Sequence, residues 1–460
     1  MYKNLLSFII VSVISVSLSA QKANYYKRVF VDAEYYLLYE EYKDALPLYL
    51  EIYNTYTENS NICYRIGICY LNIRNEKHKS IPFFEKAIRN VSDTYKEGYF
   101  TETQAPREVF LHYGRALRVK GDFEKARQAF ETYKSMLPEK ELSNIEVVQK
   151  EIKSLEFAEQ MKANPIAAKF TSVGRTINTR FPEVNPTVSS DYKVMVYTSI
   201  QQFYNALLVS KFENNEWTFP VNINTQTLAD GPIQNVGMSG DGNTIVLARN
   251  DNDIFNLYTS TYDTTKKSWN PIVKLPKEVN TRYWETHGSF SKNGDTLFFS
   301  SNKPGGKGGF DIYMSTKVAT GWSQPQTLGD AINTSFDESS PVVSTDGKRL
   351  YFSSNGHPTM GGFDIFVSHK REGKWTKPVN LGYPLNSPDD DNFFFPIGDG
   401  SRGLISKTFA ESSGEDDIYL VEFLTQPNEN NTNDLSASPI TLEKSKSQSF
   451  NPSNGHLAVP

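Results

Sequence analysis

Cysteine is nearly absent from this 460-residue chain, occurring only at Cys63 and Cys69. On one helix, six residues separate the two by a rise of about 9 Å, beyond the Cα distance a disulfide spans. A disulfide framework is therefore excluded, and both thiols are expected to be buried and structural. Histidine is also scarce: the six copies, at 78, 112, 287, 357, 369 and 456, form no HExxH and no tight metal-ligand spacing. No GxSxG elbow occurs. Neither a metal, nor a cofactor, nor a catalytic centre is expected, and the chain reads as a non-enzyme. Charge of one sign is not dominant either, with 48 basic against 53 acidic residues. A chain-wide basic stripe for nucleic acid is thus not suggested. Beyond the first twenty residues no stretch approaches 18 apolar residues, so no membrane-spanning helix is expected.

Those first twenty residues read as a secretion signal. Lys3 supplies the positive start, residues 5–18 are apolar and serine-dotted, and Ser19-Ala20 forms a small-residue exit. No cysteine lies near the cleavage region, so export without a lipid anchor is expected. At the other end, residues 425–460 are rich in Asn, Ser, Thr and Pro, a composition expected to be largely disordered. They are too few for the α/β-hydrolase domain that accompanies some propeller enzymes.

Residues 25–163 carry helical periodicity. Helices are expected over 28–39, 42–56, 62–73, 79–90, 107–120, 123–136 and 144–161. The first six pair off, and the seventh caps the open end. Ala33, Gly67 and Gly114 fall in the middle of each first helix, while Ala45, Ser80 and Ala126 fall early in each second one. Tyr49, Phe84 and Phe130 come four residues later each time. Small residues allow close crossing, and the aromatic fills the groove beyond. Ala33 and Gly67 lie 34 residues apart, the tetratricopeptide period. An insertion over 92–106 lengthens the next interval. The segment GRALRVKGDFEKARQAFETY (114–133) resembles a tetratricopeptide unit, and that family presents a concave face to partner proteins.

From 168 to 424 the period changes to about 52 residues. Five stretches run through a tight turn into an apolar strand, with turn residues Asp191, Asp241, Asn293, Asp346 and Asp399. Units of this length cannot bury a face alone and must stack. A ring of small antiparallel sheets, a β-propeller, is expected. In the best copies a Gly-rich loop joins two strands, as in SSNKPGGKGGFDIYMS (300–315) and SSNGHPTMGGFDIFVS (353–368). A tryptophan phrase then ends the unit, with Trp217, Trp269, Trp322 and Trp375 marking four blade ends. The fifth unit lacks that phrase, but AKFTSVGRTIN (168–178) matches the segment after the tryptophan in the complete units. An N-terminal strand would then close the ring. Five blades are indicated, with six if another segment supplies an irregular one. The glycine pairs at 305–306, 308–309 and 361–362 have no helix after them and suit hairpins better than phosphate.

These phrases resemble the WD40-like Pro-Asp repeats of exported bacterial propellers of the TolB-like kind. The order of helical stack and propeller resembles envelope proteins of Bacteroidota, related to type IX secretion and OmpA-family proteins. The chain stops before an OmpA-like domain would fit, so peptidoglycan binding by that module is doubtful. The expected architecture is α+β multidomain: signal 1–20, helical repeats 25–163, propeller 168–424, tail 425–460. The resemblance implies a periplasmic scaffold associated with the outer membrane through protein partners of an assembly, secretion or gliding complex.

Two recurrences are candidate sites. Asp311, Asp364 and Asp417 recur immediately before Ile-Tyr or Ile-Phe, with Asn256 and Asn205 in the related places of the first two units. Beside the Ser-Ser pairs they are expected to clamp neighbouring strands. Glu183, Glu285, Glu338 and Asp391 each fall eight residues before the turn residue, and asparagines 178, 280, 333 and 386 precede them by five. The acids either cap turns locally or rim one opening, where they would bind cations, basic partner groups or a glycan. The last option keeps a glycan-binding or hydrolytic propeller as the alternative.

Overall fold

The computed structural model describes residues 21–319 and 321–424. The expected signal at 1–20 and tail at 425–460 lie outside them. The described chain divides into two compact units after Leu155.

The first unit is helical: α1 spans 21–38, α2 Tyr42–Tyr53, α3 Ser60–Asn72, α4 Ile81–Ala87, α5 Val109–Lys120, α6 Phe123–Ser135 and the first part of α7, Leu142–Ala163, which runs across the boundary. All seven expected helices form. The fourth is shorter than expected, because Pro82 lacks an N–H and sits in the first turn, behind a 3₁₀ turn at Lys77–Ser80. Ala33, Ala45, Tyr49, Phe84, Ala126 and Phe130 are all fully buried. The close crossing is real. A Cβ added at Gly67 would lie 2.5 Å from the Phe84 ring, and one at Gly114 would lie 2.4 Å from the Phe130 ring. Cys63 and Cys69 are free and buried.

The second unit is a β-propeller of five blades. Each of the first four begins with an inner strand: Glu183–Val188, Ile233–Met238, Glu285–Phe290 and Glu338–Val343. Two longer antiparallel strands come next, and then short outer pieces that carry Trp217, Trp269, Trp322 and Trp375. The fifth blade is Phe394–Ile397, Arg402–Lys407 and Asp417–Phe423, completed by Ala168–Ser172 from the start of the unit. Phe170 pairs with Val421 there. The ring thus closes by sheet pairing between its two chain ends, which covers the edge that Asp417–Phe423 would otherwise expose. A β-bulge interrupts the inner strand of each of the first four blades. It turns the residues just after the acid toward their neighbours across the ring.

Candidate functional site

The four recurrent acids do not rim an opening. Glu183, Glu285 and Glu338 have no solvent exposure, and Asp391 has 8%. The reason is local and repeats from blade to blade. Glu338 accepts from the Thr334 N–H at 2.8 Å, from Thr334 Oγ1 at 2.7 Å and from Ser354 Oγ at 2.8 Å. Glu183 has the same partners in Thr179 and Ser199, and Glu285 has them in Thr281 and Ser301. Asp391 is one methylene shorter. Ser387 caps it, and Lys407 reaches in to it at 2.8 Å. In every case the cross-strand partner lies 16 residues after the acid. The second blade has no acid: Ile233 stands there, and Arg249, opposite it in register, bonds Asp251, Asp230 and Tyr258 instead.

The asparagines five residues earlier complete the joint. Asn333 accepts from the Ile312 N–H at 2.9 Å and donates to the Ile312 carbonyl at 3.0 Å. Asn178, Asn280 and Asn386 do the same to Ile418, Leu257 and Ile365. One short segment therefore adds a rung to the blade it leaves and caps the blade it enters. Burial raises the pKa of these carboxyls, to about 7 for Glu183 and Glu338, against the hydroxyl and amide donors that hold them lower. Burial raises Glu285 and Asp391 as well, with Lys407 opposing it in the latter.

Asp311, Asp364 and Asp417 clamp their own loops, and Asp364 also clamps the neighbouring strand by accepting from Asn380 Nδ2 at 2.6 Å. Asp311 accepts from the Lys307 and Gly308 N–H groups, Asp364 from Met360 N–H, and Asp417 from Ser413 and Gly414 N–H. The loop does cradle an anion, but the anion is the protein's own carboxylate. The serine pairs bond elsewhere: Ser301 to Glu285, and Ser300 to the Glu338 carbonyl of the next blade. The glycines are there for close approach. A Cβ at Gly308 would fall 1.6 Å from the Phe336 carbonyl, and one at Gly361 would fall 2.2 Å from the Pro388 carbonyl.

The inner strands enclose little space. After the acids, Asn185 donates to Gln234 at 3.2 Å, and His287 Nδ1 lies 3.1 Å from Ser339 Oγ, so neighbouring blades are bridged. Burial pushes the His287 pKa down to about 4. Toward the turns, Val188, Met238, Phe290, Val342 and Phe395 line a pocket of about 30 Å³ with Ser289 and Lys292. That is room for a water or two. Among the described residues no group of three His, Cys, Asp or Glu is arranged to hold a metal ion.

Exposed apolar side chains concentrate elsewhere. In the first blade Phe203 is 86% exposed and Phe219 85%, with Tyr204 and Val221 about half exposed. In the helical unit, the groove side of α1 and α3 is covered by the insertion over 92–106. Phe100 packs on Phe30 and Tyr56, Tyr95 donates to Asn61 at 2.7 Å, and Glu97 approaches Arg65 at 3.7 Å. A face expected to be open to partners is thus filled in part by the chain itself.

No family profile matches the chain, and no curated protein matches it in sequence. Solved structures match the propeller region. TolB from Acinetobacter baumannii is 14% identical with a TM-score of 0.34, over 54% of this chain and 56% of that one. An α-L-arabinofuranosidase from Lactobacillus brevis is 13% identical with a TM-score of 0.37, over 56% and 94%. A gluconolactonase from Xanthomonas campestris is 10% identical with a TM-score of 0.32, over 57% and 91%. The match spans little more than half of the TolB chain. At these identities the likeness concerns the propeller fold alone.

Proposed function

We propose that this chain is a non-enzymatic, protein-binding scaffold exported to the bacterial periplasm, where it joins an outer-membrane assembly, secretion or gliding complex. The observation that carries the reading is the surface of the first blade. Its Phe203 and Phe219 are almost fully exposed beside Tyr204 and Val221, and Asn222 of the outer strand donates to the Tyr204 hydroxyl at 3.5 Å. Exposed aromatic side chains in the loops that flank the blade's strands suit the core of a protein interface. The acids that would serve a hydrolase are instead bonded inside their blades. Export rests on the sequence of residues 1–20.

The test is crosslinking capture from native envelopes with wild type and a Phe203→Ala, Phe219→Ala variant. The expected result is a defined set of envelope proteins that the variant loses. If no protein partner is recovered, and the pure protein hydrolyses a wall fragment or glycan, the scaffold reading fails.

A further inference from the structure

The insertion over 92–106 joins α4 to α5 and is longer than most connections between packed helices. Loops of that length without structure of their own usually carry function. Its ends meet in a short parallel pairing, Val91 with Ala105 and Ser92 with Pro106. Between them, residues 93, 94 and 96–99 are exposed, so the loop buries little of itself. Two side chains attach this exposed part to the helices. Tyr95 donates to Asn61 Oδ1, and the Phe100 ring lies 5.8 Å from that of Phe30 and 6.2 Å from that of Tyr56. A segment held by so few buried contacts opens at a small fraction of the cost of global unfolding.

Beside the same part of the loop lies a cation that is not fully bonded. Arg65 of α3 is 4% exposed. Its Nη2 donates to Glu34 Oε2 of α1 at 3.0 Å, which satisfies one of the five N–H donors. Its Nε is buried with no hydrogen-bond partner. Its Nη1 is 3.7 Å from Glu97 of the loop, too far for a hydrogen bond. The paired loop ends limit how far Glu97 can move, and the chain bends at Gly98, where φ is +75° and a Cβ would sit 4.0 Å from Glu34 Oε2. A buried donor without an acceptor is costly.

We propose that the insertion is a displaceable occupant, and that the surface it covers on α1 and α3 binds an extended acidic segment of a partner protein. The loop itself supplies the chemistry of that segment. A tyrosine hydroxyl meets Asn61, a carboxylate faces Arg65, and an aromatic ring three residues after the carboxylate packs on Phe30 and Tyr56. Once the loop lifts, a segment free at both ends brings its carboxylate to the Arg65 N–H that the tethered Glu97 does not reach, and gains a charge-assisted hydrogen bond. The proposal rests on the protein-binding reading only for the class of ligand. It is tested on pure protein, so a failed envelope capture and a failed peptide titration are separate results.

The probe is a fluorescein-labelled peptide with the sequence of residues 93–102, DTYKEGYFTE, titrated by anisotropy against residues 21–460. Two opened forms are compared with wild type. One is Tyr95→Phe, Phe100→Ala, and in the other a Gly-Ser linker of equal length replaces residues 94–101. The peptide is expected to bind both opened forms roughly ten times more tightly than wild type, whose own loop keeps the site about nine-tenths closed. Peptides carrying Glu97→Gln or Phe100→Ala should each bind the opened forms about tenfold more weakly. The proposal is overturned by an opened form that keeps the wild-type Tm and binds no peptide, or by equal affinity for wild type and opened forms. An affinity that Glu97→Gln in the peptide leaves unchanged would also overturn it. So would failure of both opened forms to fold, which would make the insertion a fixed part of the helical unit.

Discussion

Glu338 shows what a buried carboxyl does in this ring. Burial raises its pKa from 4.5 to about 7, and Glu183 behaves alike. A carboxyl raised in the folded state contributes stability that is fully present below the unfolded value near 4.5. That contribution is lost as pH rises through about 7. Thermal melts should therefore show a higher Tm at pH 5.5 than at pH 8. In a Glu183→Gln, Glu338→Gln variant the difference should shrink, because an amide does not titrate. Equal slopes for the two proteins would show that other groups set the pH dependence. The oxygens of these acids already accept from Thr and Ser donors. Millimolar calcium or zinc is thus expected to leave Tm unchanged. A metal-dependent rise in Tm, abolished by alanine at Glu183, Glu285, Glu338 and Asp391, would reverse the structural assignment of all four. The repeat made these acids visible in sequence, but not what they bond. The signal for that was 16 residues downstream, in Ser199, Ser301, Ser354 and Lys407.

At the scale of elements, two contacts hold the helical unit in ways that substitution can measure. Gly114 lets the Phe130 ring lie where a Cβ would be. Gly114→Ala should cost about 1–3 kcal/mol by overpacking, and adding Phe130→Leu should recover part of that loss in a double-mutant cycle. Additive losses would mean that the ring is not the obstacle. The second contact is ionic. Glu151 of α7 bonds Arg115 at 2.7 Å and also Arg118. Burial alone would raise its pKa, but the two arginines hold it at about 2. Glu151→Ala leaves the Arg118 guanidinium buried without its carboxylate partner and should cost roughly 3–5 kcal/mol. A loss under about 1 kcal/mol, the size of a surface pair, would show that water replaces the carboxylate. The glycine spacing predicted the first contact. Nothing in the linear pattern marked Glu151, because its partners are more than thirty residues away on another helix.

For the whole molecule, the strand Ala168–Ser172 is the closing element of the ring. Thr171→Pro would remove a ladder N–H opposite Leu420 and break the pairing. At a cost near 3 kcal/mol, Tm should fall by about 6–12 °C for a unit of this size. The exposed edge of the fifth blade should also promote aggregation on heating. An unchanged melt would show that the ring stays shut without this strand.

By itself the sequence determined the periodic features: seven helices from apolar spacing, five units from a period of about 52, the tryptophans on the outer strands and the strand that closes the ring. Periodicity carries that information because every repeat must bury the same face. Tertiary structure decided which groups are left over once those faces meet. The Glu–Thr–Ser joint consumes acids that sequence would allow at an open rim, because the Thr four residues before each Glu and the Ser across the strand hold the carboxylate inside the blade. The Gly-rich loops close on their own aspartates because the next blade presses against their glycines. Of the tyrosines crowding the first two helices, Tyr49 is sealed beneath Phe30, while Tyr35 and Tyr39 stand in solvent. The same residue type at helical spacing serves either side, and only the packing of the neighbouring helix selects which.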